Sequence, residues 1–139
     1  MDTANAILEK EVRRIVIKLH QEIFGKGPDQ LWVKVEQSVC MFSFFKTLTP
    51  MENFLLKTKG GSEQVQTLRK EILKAANIKL CQELELLHEI KILGDTSEIC
   101  IETDSVHGAI LFVWRQSLEK SPRGLEENNV YQNVISLKK

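Results

Sequence analysis

Residues 31–52 read LWVKVEQSVCMFSFFKTLTPME. Leu31, Val33 and Val35 alternate with Trp32, Lys34 and Glu36, which is the period of a half-buried strand. Gln37-Ser38 can turn, and Val39 to Thr47 reads as the antiparallel partner. Met41, Ser43 and Phe45 then share one face, and Cys40, Phe42 and Phe44 the other. Both faces of this second strand are partly apolar, so its outer side is expected to be covered within the domain or by another subunit. In Thr49-Pro50-Met51-Glu52 the threonine hydroxyl can accept from a first-turn N–H, and proline stands where no N–H is missed. Glu52 can reach back to Thr49, so a helix starts here.

Upstream, Leu8, Val12, Ile15, Leu19 and Ile23 recur at steps of four, three, four and four, with Ile7 and Val16 widening the stripe. Residues 3–24 are therefore an amphipathic helix, whose other face carries Lys10, Glu11, Arg14, Lys18 and Gln21. Gly25 can take the left-handed position just past its end. Gly25-Lys26-Gly27-Pro28-Asp29 is a helix-to-strand loop, since it lacks the preceding strand and following helix that a phosphate-cradling fingerprint requires.

Downstream, Phe54, Leu55 and Leu56 continue the capped helix to Gly60-Gly61. Ser62 can cap a longer one, with Val65, Leu68, Ile72, Ala75 or Ala76, Lys79 or Leu80, and Leu84 on its buried side, running to about Leu86 or Leu87. Ile90 and Ile92 begin a third strand, which Gly94-Asp95 interrupts or ends. Residues 96–107 are polar and ambiguous between strand and covering loop. Ala109 to Trp114 is the fourth strand, rich in branched and aromatic residues. The order α-β-β-α-α-β-β gives an α+β fold: a four-stranded antiparallel sheet with helices on one face. One domain is expected over residues 1–116, followed by a polar C-terminal tail or docking segment over 117–139.

Composition narrows the function classes. The chain has 139 residues, a single-domain size, and Lys+Arg 19 balances Asp+Glu 19. That balance argues against nucleic acid or an anionic membrane as the main partner. The longest uncharged apolar run, Gly108 to Trp114, is far shorter than the roughly 20 residues that span a bilayer, so a soluble, cytoplasmic protein without membrane insertion is expected. Cys40, Cys81 and Cys100 show no C-x-x-C pairing and read as small packing residues.

No constellation announces chemistry. His20, His88 and His107 lack a second metal-type ligand at a suitable spacing, no G-x-S-x-G elbow exists, and neither catalytic residue, metal nor cofactor is assigned. Cys100-x-Glu102 with Asp104 and His107 is the one polar cluster, read as solvated loop charge. Glu83 with Glu85, and Glu126 with Glu127, read as surface charge. Trp32, Trp114, Phe42, Phe44, Phe45 and Phe112 fit core and subunit packing better than an RNA-stacking surface. Phe42, Phe44 and Trp32 are the candidate interface residues, and a homodimer is expected. A candidate ligand site joins Gly25, Lys26 and Gly27 to Arg13 and Arg14.

The linear pattern carries one resemblance. Gly25-Lys26-Gly27-Pro28 follows a helix containing Arg13-Arg14; a hairpin, Leu48-Thr49-Pro50-Met51-Glu52, Gly61 before a long helix, Gly94-Asp95 and a final strand with Phe112 come after. Over roughly residues 5–115 this resembles the small MpsC-like bacterial proteins, formerly a domain-of-unknown-function family. The resemblance implies association with a cation-translocating, membrane-potential-generating system similar to machinery for inorganic-carbon transport. It implies an accessory role and brings no catalytic residues. The expectation is a non-enzymatic, dimeric regulatory module that binds a protein of a membrane transport complex. The alternative is a small-molecule or anion sensor built on the Gly25–Asp29 loop and its basic neighbours.

Overall fold

A computed structural model describes residues 2–119. It contains α1 (Asp2–Phe24), β1 (Asp29–Glu36), β2 (Val39–Phe45), α2 (Pro50–Leu55), α3 (Gly61–Leu87), β3 (Ile90–Cys100), β4 (Ser105–Trp114) and a short α4 (Arg115–Glu119). The first three residues of the expected tail belong to α4, and the remainder lies outside the described residues. The expected fold class holds: an antiparallel four-stranded sheet in the order β1-β2-β4-β3, with the helices on one face.

The β1–β2 hairpin follows the alternation of its sequence. Val33 sits opposite Phe42 and Val35 opposite Cys40, while Trp32 sits opposite Ser43 and Lys34 opposite Met41. The first set faces the helices and the second faces away. From α1, Leu8, Val12, Ile15, Val16 and Leu19 meet that inner face. Leu73, Leu80 and Leu84 of α3 complete one continuous core with Ile90, Val106, Ile110 and Phe112. Helix α1 ends where expected: Gly25 has φ +77° and donates its N–H to the Gln21 carbonyl at 2.9 Å.

Three details differ from expectation. Helix α3 is not capped by Ser62; it starts at Gly61, after Gly60 in the left-handed region, with no side-chain cap. Its buried ladder is Val65, Arg69, Leu73, Asn77, Leu80 and Leu84, while Leu68 is 43% exposed. The stripe is thus rotated to turn two polar residues inward, because both find partners there: Arg69 at α2 and the β2–α2 connection, Asn77 on β3. Finally, Gly94-Asp95 interrupts β3, one of the two expected readings, and does not end it. The strand absorbs an irregularity between Ile92 and Gly94 and pairs on to Cys100↔Ser105, so the ambiguous stretch is a hairpin and β4 starts at Ser105 rather than Ala109. Asp95 and Ser97 face α3, where Asn77 Nδ2 donates to Asp95 Oδ2 at 2.9 Å and to Ser97 Oγ at 3.1 Å.

Gly108 on β4 has a packing reason to be glycine. It lies opposite Phe42, and a Cβ there would fall inside the van der Waals envelope of the Phe42 ring. The aromatic ring occupies the volume a side chain would need.

Candidate functional site

The polar heart of the molecule assembles around the helix start at Thr49. Its side chain accepts from the Glu52 N–H at 3.2 Å, and Glu52 Oε1 accepts the Thr49 N–H at 2.9 Å, completing the capping box. The same carboxylate receives Arg69 from α3, with Nε donating to Oε2 at 2.7 Å and Nη2 to Oε1 at 2.8 Å. Arg69 is 0% and Glu52 3% exposed. Arg69 Nη1 donates to Thr47 Oγ1 at 2.9 Å, Nη2 donates to the Thr47 carbonyl, and the guanidinium lies 4.0 Å from the Phe24 ring centroid.

His20 closes the network from α1. Its Nδ1 lies 2.6 Å from the Lys26 carbonyl, which only accepts, so Nδ1 carries the proton and Nε2 is left to accept from Thr47 Oγ1 at 3.3 Å. The proton order is then single-valued: His20 donates to Lys26, Thr47 to His20, and Arg69 to Thr47 and Glu52. Burial lowers the His20 pKa, outweighing the Lys26 carbonyl, which favours the proton. Burial alone would raise Glu52, but the hydrogen bonds from Arg69 and Thr49 together with the Arg69 charge hold it below the ordinary carboxylate range. This cluster binds α1, the β2–α2 connection, α2 and α3 to one another. Arg69 is engaged on all three nitrogens, so the arrangement is an anchor rather than a receptor.

The residues expected to form a ligand site do not converge. Arg13 Nη1 donates to the Leu31 carbonyl at 3.0 Å, and Arg14 pairs with Glu11 at 2.9 Å. Both lie far from the Gly25–Gly27 loop, about 16–18 Å along the helix axis. Lys26 Nζ turns to the Lys46 carbonyl at 3.3 Å. The Cys100–His107 cluster is likewise divided. Asp104, at φ +48°, accepts the Thr47 and Leu48 N–H groups at 2.9 and 2.8 Å, clasping the β3–β4 turn to the β2–α2 connection. His107 Nε2 instead lies 2.9 Å from Ser105 Oγ. Glu83 pairs with Lys18 at 3.3 Å, whereas Glu85 accepts the Ile92 N–H at 2.8 Å, so these two carboxylates serve separate structural ends. Glu126 and Glu127 lie outside the described residues. Among the described residues no group of three or more His, Cys, Asp or Glu is placed to hold a metal ion.

Of the interface candidates, Phe42 and Phe44 are each 5% exposed. The core, not a free surface, receives them, because they share the face of Val33 and Val35; they line a crevice of about 40 Å³ between α1 and α3. Trp32 is different: it is 49% exposed on the side of the sheet away from both long helices. There it joins Met41, Phe45, Ala109 and Leu111, all partly exposed, with Lys34, Glu36 and His107 exposed around them. This sheet face presents apolar side chains to solvent, as do Met51 and Phe54 of α2 and Leu86 and Leu87 of α3.

Sequence reasoning missed Arg69 entirely and treated Glu52 only as a cap. The available signal was the mismatch between the Leu68–Ile72 stripe and the Val65–Arg69–Leu73 ladder, four residues apart throughout.

No helix among the described residues is long and apolar enough to cross a membrane. No solved structure matches the chain. A curated relative, the uncharacterized protein YrhF of Bacillus subtilis (strain 168), is 26% identical over 117 residues, covering 84% of this chain and 94% of that one. The family model described as Na+-translocating membrane potential-generating system (MpsC) matches residues 5–115. With a match across both hairpins and both long helices, the chain belongs to the MpsC family.

Proposed function

We propose that this protein is a non-enzymatic, cytoplasmic accessory module that binds a protein subunit of a membrane cation- or inorganic-carbon-transport system through the open face of its sheet. The carrying observation is that face itself. An aromatic and aliphatic centre, Trp32, Met41, Phe45 and Leu111, lies within a polar rim of Lys34, Glu36 and His107, the composition of a protein-binding surface. The family description supplies the kind of partner, a component of a Na+-translocating, membrane-potential-generating system.

The test is affinity capture of detergent-solubilised subunits of that system, co-expressed with the tagged full chain, beside a Trp32→Ala variant. Retention of a transport subunit by the wild type, weakened by about ten-fold or more in the variant, is the expected result for a central aromatic contact. Recovery of the tagged protein alone overturns the function; equal capture by the variant overturns the choice of face.

A further inference from the structure

The two edges of the sheet are finished differently. At β1, helix α1 occupies the outward backbone groups: Glu9 Oε1 accepts the Val35 N–H at 2.9 Å and Arg13 donates to the Leu31 carbonyl at 3.0 Å. Such plugging removes the strand as a template for pairing. The other edge is β3. Glu85 occupies only the start of it, at Ile92. Past the irregularity the strand borders a groove of about 630 Å³ against α3, lined by Gln66, Lys70 and Leu73 on one side and Ser97, Glu98 and Ile99 on the other.

We propose that this edge pairs with the β3 strand of a second copy, antiparallel across a two-fold axis at Asp95, fusing two four-stranded sheets into one of eight. The occupant is argued from the self-complementarity of the strand. Opposite β4, Lys91 aligns with Val113 and Glu98 with His107 on the face away from α3, whereas Ile90, Ile92, Ser97 and Ile99 align with Trp114, Phe112, Gly108 and Val106 on the helix face. With the axis at Asp95 and the irregularity skipped in both copies, Thr96 meets Gly94, Ser97 meets Ile92, whose N–H exchanges Glu85 for the second copy, Glu98 meets Lys91 and Ile99 meets Ile90. Every pair then shares a face, and two unlike-charge pairs stand one step inside the ends of the ladder. Lys91 and Glu98 are both exposed and have no ion-pair partner among the described residues. An axis at Glu98 would oppose two glutamates and leave Lys91 beyond the ladder, with no unlike-charge pair to offset them. Because the β1 edge is plugged, pairing is isologous and stops at two copies instead of running on as a filament. Two costs oppose the pairing: the loss of the Glu85 bond at Ile92, and the approach of Asp95 to Asp95, each carboxylate already held by its own Asn77.

The dimer stands or falls independently of any transport partner. Sedimentation equilibrium of the full chain alone should give twice 16.0 kDa. Lys91→Glu and Glu98→Lys should each weaken dimerisation by about ten-fold, since each turns two cross-strand attractions into repulsions. The double variant Lys91→Glu/Glu98→Lys should return to within about three-fold of the wild type, and Asp95→Asn should tighten the dimer. A wild type that stays monomeric at 200 µM (about 3 mg/ml for a chain of 16.0 kDa) overturns the proposal. So does a dimer that both single variants leave unchanged, or one in which the double variant adds the two losses instead of cancelling them.

Discussion

Replacing Arg69 with methionine should be among the most damaging single substitutions in this protein, and the structure indicates by how much. The variant keeps most of the side-chain volume but withdraws a charge that is 0% exposed, leaving the Glu52 carboxylate buried with only Thr49 as a donor. Thr47 also loses the donors to its hydroxyl and its carbonyl, and Phe24 loses the guanidinium above its ring. Breaking a buried pair from one side costs about 3–5 kcal/mol, because the remaining charge has no compensation. For a domain of this size that is a fall in Tm of about 10–18 °C. Urea unfolding followed by far-UV circular dichroism measures the loss. Glu52→Gln in the Arg69→Met background should recover part of it, with a coupling of about 2–3 kcal/mol in the double-mutant cycle. The Glu52 pKa is lowered in the folded state. The pair therefore contributes fully above the unfolded carboxyl value of about 4.3, and its contribution is lost as pH falls through the folded value. The gap between wild type and Arg69→Met should close in acid. An Arg69→Met protein within about 1 kcal/mol of wild type at pH 7, or a cycle with no coupling, would refute the reasoning.

Other outcomes follow from the same geometry. His20 is held neutral by burial, so wild-type stability should be complete above the unfolded histidine value near 6.5 and decline as pH drops below it; His20→Gln should flatten that part of the unfolding profile. Gly108→Ala must displace the Phe42 ring and should cost about 1–3 kcal/mol by chemical denaturation. Thr49→Ala removes the cap of α2 and one partner of Glu52, for a loss of about 1–2 kcal/mol. Burial pushes the Cys40 and Cys81 thiols up to about 12, whereas hydrogen bonding to Thr103 lowers Cys100. Iodoacetamide at pH 8 should therefore label Cys100 first, by peptide mass mapping, and equal labelling of all three would contradict the burial of the other two.

The hairpin of Leu31–Phe45 and the cap at Thr49 were legible because each rests on local rules: alternation, a turn pair and a capping box. Helix α3 was legible in extent but not in orientation. Binary patterning sends Arg69 and Asn77 outward, and only tertiary partners, Glu52 and Thr47 for one and Asp95 and Ser97 for the other, bring them in. The same polar partners hid the length of β3, since Asp95 and Ser97 do not look like residues of a helix-covered face. The residues expected at the anion site do not converge for a related reason: proximity in sequence put Arg14 near the loop, but Glu11, one turn before it, claims its guanidinium. The open face was half visible, because the two-sided character of Val39–Phe45 correctly marks an outer apolar surface, though Trp32, Met41 and Phe45 form it and Phe42 and Phe44 do not.

The placement of β4 between β2 and β3 has a consequence during synthesis. Strand β2, VCMFSFF, carries no charge and no proline, the profile of an aggregation-prone segment. Its outer edge waits for β4, whose first partner, Ser105, stands 60 residues after Phe45. At about 5–20 residues per second the nascent chain exposes that edge for roughly 3–12 s before its partner exists. Helix α1, made earlier, can shield one face of the strand but not its edge, and Glu36 and Lys46 are the charges flanking the segment. Rapid translation through α3 would shorten the hazard, and charge-removing substitutions at either flank would be felt as lost yield from the ribosome rather than as lost stability of the folded protein.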